Sequence, residues 1–127
     1  MKFYHFSHQA DDNKRGSDNQ FIGTVRIEKL EDAPESPHLR AVFVMFEPGS
    51  YTKLHHHTGD QLLYVTEGEG FIEFANGEEV LLKPGARVII PAGTLHRHGA
   101  NPATRLVHLA VTLGETFWWT ADEGKIN

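Results

Sequence analysis

Short apolar stretches, many of them alternating with polar residues, run through most of this chain between glycine, proline and asparagine. Phe21 to Leu30 carries Ile22, Thr24, Arg26 and Glu28 on one parity and Val25 and Ile27 on the other. Arg40 to Glu47 is the strongest strand pattern, since β-branched and aromatic side chains suit a pleated surface. Leu62 to Thr66, Gly70 to Ala75, Glu78 to Lys83, Arg87 to Ile90 and Arg105 to Leu113 complete the strands. A turn is expected at Glu67-Gly68-Glu69. A hairpin is expected at Asn76-Gly77, where both residues tolerate positive φ. Residues 1–6 predict a further short strand, Ser7 to Gln20 a polar loop, and Glu31 to His38, with Pro34 and Pro37, a connection. No window sustains a helical period. The pattern therefore predicts an all-β sandwich or barrel, with Val42, Val44, Phe46, Leu63 and Val65 facing inward. The strand and loop of 1–20, a barrel over 21–113 and an aromatic tail over 114–127 divide the chain.

Bulk properties narrow the function. The 127 residues suffice for one domain with its own core and not for two. The net charge of −5, without a basic run, argues against nucleic acid as a partner, because neutralising phosphates takes clustered Lys and Arg. The absence of cysteine excludes disulfides, thiolate nucleophiles and Cys-held metals. The longest apolar run, Ala41 to Phe46, is too short to span a bilayer. The first residues lack the apolar core of a secretory signal, so the expected location is cytoplasmic.

Histidine carries the candidate chemistry. In an extended strand His55 and His57 point one way and His56 the other. Imidazole is the commonest protein ligand for a transition metal, so this strand supplies half of a metal site. Gln61 adds a side-chain carbonyl from the start of the next strand. His96 follows one hairpin later, beyond the turn residues Pro91 and Gly93, and His98 shares its parity. On the last strong strand His108, Ala110 and Thr112 share a face. His108 there is a base, a ligand's hydrogen-bond partner or a packing residue. Thr52 has a hydroxyl for the cavity mouth or is plain strand-edge polarity. Phe117, Trp118 and Trp119 read as packing over a barrel end or at an interface, or as a lid. The small apolar lining suits a compact aliphatic or aromatic substrate.

The spacings resemble those of the cupin superfamily over roughly residues 40 to 113. Gly49, five residues, His55-x-His57, three residues, Gln61, six residues and Gly68 match the first cupin motif, with Gln61 in place of the usual Glu. Gly85, five residues, Pro91-x-Gly93, two residues and His96 match the second. Its closing Asn is replaced by Ala100, and Asn101 comes one place late. The resemblance implies a single-domain jelly-roll β-barrel, a homodimer, and one divalent ion held by His55, His57, Gln61 and His96. Three imidazoles and an amide add no negative charge. The ion then keeps its double charge and acts as a Lewis acid more readily than as a redox centre. Imidazoles accept Mn, Fe, Co, Ni, Cu and Zn; the harder amide oxygen fits Mn(II) or Fe(II) somewhat better, with Zn, Ni or Co as alternatives.

Within the cupins the chain is similar to the bacterial, metal-dependent hydroxynitrile lyases of the (R)-mandelonitrile lyase group. The matching residues are Phe21-Ile-Gly-Thr-Val-Arg-Ile27, Phe46-Glu-Pro-Gly49, Thr52, the His-x-His-x-x-x-Gln set, His96-Arg-His98-Gly99-Ala100 and His108-Leu-Ala110. That likeness implies cyanohydrin cleavage or formation at a Mn(II) Lewis acid. It places Thr52, His98 and His108 near the substrate as the catalytic set, with His98 or His108 moving the hydroxyl proton. Two other readings stand beside it. One is a dioxygenase of the quercetinase kind, which Gln61 disfavours; the other is a pocket that binds a small molecule without turnover.

Overall fold

The computed structural model describes residues 16–30, 39–120 and 125–126, and these form strands, turns and bends without a helix. The strand expected at 1–6, most of the loop before Gln20 and the connection at 31–38 lie outside the described residues. Five strands make the first sheet: β2 (Val25–Lys29), β3 (Leu39–Phe46), β6 (Gln61–Gly68), β9 (Arg87–Ile90) and β11 (Leu106–Leu113), in the order β2-β3-β11-β6-β9. The second sheet holds β1 (Phe21–Ile22), β4 (Tyr51–Thr52), β5 (His55–His57), β7 (Gly70–Phe74), β8 (Glu79–Leu82), β10 (His96–Ala100), β12 (Thr116–Thr120) and β13 (Lys125–Ile126). Its main path is β1-β4-β10-β5-β12-β13, with β7 on β10 and β8 on β7. Every pairing is antiparallel. The two sheets enclose the core as an all-β jelly roll.

Alternation decides what faces inward. Val44 and Phe46 on β3, Leu63 and Val65 on β6, and Leu106 and Ala110 on β11 are all buried in one cluster with Phe21, Val25, Ile72, Leu82 and Ile90. At about 25 cal/mol per Å² of apolar surface, each of these side chains larger than alanine stabilises the fold by ~2 kcal/mol. The register aligns them: Val44 stands opposite His108 and Phe46 opposite Leu106, while Leu63 faces Ala110 across the other ladder. A bulge between Val107 and His108 leaves Thr66 without a ladder partner, and its hydroxyl donates to the Val107 carbonyl at 3.3 Å.

Three expectations change in detail. Phe21 to Leu30 is two strands in different sheets, broken where Gly23 takes φ 88°. The turn at Gly68 is a crossing between sheets: β6 ends in one sheet and β7 begins in the other. Gly68 has φ 79°, and a Cβ there would lie on the Arg105 carbonyl oxygen, so backbone meets backbone where no side chain fits. At the hairpin, Gly77 alone takes positive φ. Asn76 instead uses its side-chain oxygen to accept from the Glu78 amide at 2.9 Å.

Candidate metal centre

β5 is only three residues long, and its neighbours hold it. His55 pairs with His96 of β10 on one side, and His56 and His57 pair with Phe117 and Thr116 of β12 on the other. His55 and His57 face inward and are buried, whereas His56 turns out and stacks on Phe117 at 5.4 Å. β10 brings His96 and His98 inward from the same sheet, both buried. Gln61 and His108 arrive from the five-stranded sheet, also buried. The structure thus gathers His55, His57, Gln61, His96, His98 and His108 into one place. Ring centroids are 4.4 Å apart for His55 and His96, 5.0 Å for His55 and His57, and 5.6 Å for His57 and His96. A ring nitrogen on each of His55, His96 and His98 lies within 4.8 Å of the other two, a spacing that could hold a metal ion.

Hydrogen bonds set which atoms face the centre. His55 Nδ1 bonds the Lys53 carbonyl at 2.8 Å and His96 Nδ1 the Thr94 carbonyl at 2.7 Å. A carbonyl only accepts, so each Nδ1 carries the proton and each Nε2 keeps a lone pair. His57 Nδ1 bonds Thr116 Oγ1 at 2.8 Å, and Gln61 Nε2 donates to Thr112 Oγ1 at 2.8 Å. Four buried atoms of the cluster are then left without a hydrogen-bond partner: the grouped His57 Nε2, His96 Nε2 and Gln61 Oε1, and His108 Nδ1. A buried polar atom left unpaired costs roughly 1–3 kcal/mol. Acceptors grouped this way suit a cation, and their far sides are tied down as metal ligands usually are.

Electrostatics agree. Burial, and then the neighbouring His96, hold His55 well below the ordinary histidine range. Burial, His96 and the Arg40 guanidinium lower His57 to about 4. Burial also lowers His96. Burial first, then His108 and His55, keeps His98 well below its usual value, and burial brings His108 to about 4. All five rings are neutral near pH 7, the form that binds a metal or accepts a proton.

A cavity of ≈ 340 Å³ opens beside this cluster. Phe21, Ile27, Val42, Val44, Ala110 and Trp118 give it an apolar wall. The polar wall holds Thr52, His55, His57, Gln61, His98 and His108. Phe46, Leu63 and Val65 lie in the core instead. His98 Nδ1 and His108 Nε2 are 3.2 Å apart, so one proton is shared between them. Thr52 is buried and its Oγ1 accepts the His98 amide at 3.1 Å, which is more than strand-edge polarity. Sequence reasoning missed the roles of Thr112, Thr116 and Arg40, and left Trp118 open between packing, an interface and a lid. Trp118 forms a wall, 4.5 Å from the His55 ring with Phe21 edge-on to it at 5.9 Å. Thr116 and Thr112 tie down His57 and Gln61, and Arg40 Nη2 donates to Thr116 Oγ1 at 3.0 Å. Thr116 and Trp118 share a parity, a signal available in the sequence had 116–120 been read as a strand.

Residues 42–112 match the model of the cupin domain. The chain belongs to the cupin family. It is 39% identical over 97 residues to an (R)-mandelonitrile lyase of Granulicella tundricola, covering 76% of this chain and 74% of that one. A cupin-like protein of Thermotoga maritima superposes with a TM-score of 0.78 at 35% identity, over 86% of this chain and 88% of the other. An acetylacetone dioxygenase of Acinetobacter johnsonii shares the fold, with a TM-score of 0.70 at 20% identity over 99% and 89% of the two chains. No helix of the described residues is long and apolar enough to cross a membrane.

Proposed function

We propose that this cupin is a metal-dependent lyase acting on cyanohydrins, with Mn(II) held by Nε2 of His55, His57 and His96 and Oε1 of Gln61. The observation that carries the reading is the set of buried, unpartnered acceptors on His57, His96 and Gln61, beside a neutral histidine pair. The likeness to an (R)-mandelonitrile lyase supports it. When bound, the ion supplies a Lewis acid that stabilises the charge of departing cyanide, undiluted by any ligand carboxylate.

The chain's own residues do the rest. The apolar wall of Val42, Val44 and Trp118 takes the organic group of the substrate and excludes water. Thr52, already accepting from the His98 amide, directs its own hydroxyl proton at the substrate oxygen. His98 donates its Nδ1 proton to His108 Nε2 and so presents a bare Nε2. That nitrogen takes the cyanohydrin hydroxyl proton; the oxygen closes to a carbonyl as the carbon–nitrile bond breaks, and cyanide leaves with the bonding pair. The proton then returns from His98 to cyanide, giving aldehyde and hydrogen cyanide.

Elemental analysis of purified protein, with a mandelonitrile cleavage assay on wild type and His96→Ala, tests the reading. Bound metal and benzaldehyde release, both lost in His96→Ala, are expected. Cleavage that survives His96→Ala defeats the mechanism. An air-stable Fe(III) site, or oxygen uptake with a flavonol or β-diketone, would move the protein to the dioxygenases instead.

A further inference from the structure

Two loops carry the chain from one sheet to the other beside the histidine cluster. The first links β5 to β6, from His57 to Gln61; the second links β11 to β12, reached from Thr112, the last residue but one of β11, and ending at Thr116. Each starts and ends on a residue of interest, and the two loops run side by side. The Leu113 amide donates to the Asp60 carbonyl at 3.0 Å, and the Thr58 amide to the Glu115 carbonyl at 2.9 Å. Thr58 Oγ1 accepts from the Glu115 amide at 2.9 Å. The loops are in close contact at their centres: a Cβ on Gly59 would lie 2.6 Å from the Leu113 carbonyl oxygen, and one on Gly114 would meet Thr58 Oγ1.

The register at each end is the telling feature. In the five-stranded sheet Thr112 stands directly opposite Gln61. In the eight-stranded sheet Thr116 stands directly opposite His57. Both pairs are joined by a 2.8 Å hydrogen bond, and in both the atom beyond the bonded one, Gln61 Oε1 or His57 Nε2, is buried without a partner. His55 and His96 are tied instead by backbone carbonyls, which no substitution removes.

We infer that Thr112 and Thr116 are positioning residues, which turn the amide oxygen of Gln61 and Nε2 of His57 toward a shared cation. The inference rests on the metal reading above and assigns the second sphere of that site to the paired crossings. Thr112 accepts the amide N–H₂, so the carbonyl end of Gln61 faces inward; without the hydroxyl the amide rotates freely and can present its N–H₂, which repels a cation. Thr116 accepts from Arg40, which can only donate, and keeps a second lone pair that can take the Nδ1 proton of His57; a cation at Nε2 selects this tautomer over the one in which the hydroxyl donates to Nδ1. That leaves Nε2 bare. Substitution of such outer partners commonly costs 10–100-fold in metal affinity.

The test uses the full-length chain, stripped with a chelator and titrated calorimetrically with MnCl₂. Wild type is compared with Thr112→Val, Thr112→Ser, Thr116→Val and Thr116→Ser, and thermal melts of the stripped proteins report folding. Each Val variant, similar in shape but without the hydroxyl, should bind Mn(II) about 10-fold or more weakly with an altered Mn(II) electron paramagnetic resonance spectrum. Each Ser variant should restore affinity to within about threefold of wild type and recover the spectrum. Val variants that bind as wild type does, or Ser variants no better than Val while the stripped protein melts normally, overturn the inference and leave the metal reading intact. Should a Val variant fail to fold, failure of its Ser variant to restore affinity and spectrum overturns it alone. A wild type that takes up neither Mn(II) nor another transition metal overturns the metal reading itself, and this inference with it.

Discussion

In the five-stranded sheet β3, β6 and β11 each run eight residues, and β11 pairs along its whole length with β3. In the eight-stranded sheet β4 has two residues and β5 three. The long strands supply half of the buried apolar cluster, from Val44 to Ala110, and add Gln61, Thr112 and His108 at its edge. The short strands supply His55, His57, His96 and His98. Long ladders satisfy their own backbone and need only shape from their side chains. Fragments must be held by neighbours, and here polar side chains become part of the fastening: Thr52 on the His98 amide, Thr116 on His57. The two sheets thus share the site unequally: the proposed imidazole ligands all stand on the eight-stranded sheet, while Gln61, His108 and half of the buried apolar cluster stand on the long strands of the other, so ligands and core can be perturbed separately.

The sharpest separation is expected from His96→Ala. It should remove the bound ion and lower mandelonitrile cleavage at least about hundredfold, with circular dichroism that still reads as strand. Global unfolding would break the division of labour. Leu63→Ala should do the reverse, costing about 3 kcal/mol in urea denaturation while metal stoichiometry holds; an equal loss of metal would show that the sheets are not independent. Next comes acid. His108 titrates at about 4 in the fold against 6.5 in an open chain, so the unfolded state takes up the proton first as pH falls. Its contribution is complete above pH 6.5 and disappears toward pH 4, a swing of about 3 kcal/mol for this one ring. Urea midpoints of metal-free protein at several pH values measure it, and a flat profile would refute the buried, neutral assignment. His57→Ala and His98→Ala divide the histidines of the short strands. The first should release the ion, and the second should keep it while losing about 10²-fold in rate. The opposite result would make His55, His96 and His98 the ligands. The smallest effect belongs to the outer surface: Arg97→Ala breaks the 2.9 Å pair with Glu73, each side chain 35% exposed, and should cost no more than about 1 kcal/mol.

The same contrast explains what could be read in advance. β3 and β11 lie within two residues of where alternation and β-branching placed them, because long strands repeat their pattern; the four-residue β8 and β9 do so because Gly77, Pro84, Gly85 and Pro91 mark their ends. β4, β5 and β10 are too short or too rich in His and Gly to show a period. They were legible only through the spacing of the two motifs, whose glycines 49, 68, 85 and 93 all take positive φ. The tail hid for another reason. Thr116-Phe-Trp-Trp-Thr120 does not alternate in polarity, and so did not announce a strand that places Trp118 opposite His55. Arg40, Thr112 and Thr116 are ordinary strand-end residues in the sequence. Their meaning depends on a register that joins positions as far apart as 40 and 116, and no local pattern records it.

The carbonyls of Lys53 and Thr94 each fasten the histidine two places downstream, once in each motif. Two of the imidazoles therefore have their tautomer written into their own backbone as the chain folds, ahead of any encounter with an ion. Because burial also keeps His55, His57 and His96 neutral near pH 7, loading the cup should expel almost no protons, and calorimetric heats measured in buffers of unlike ionisation enthalpy should coincide.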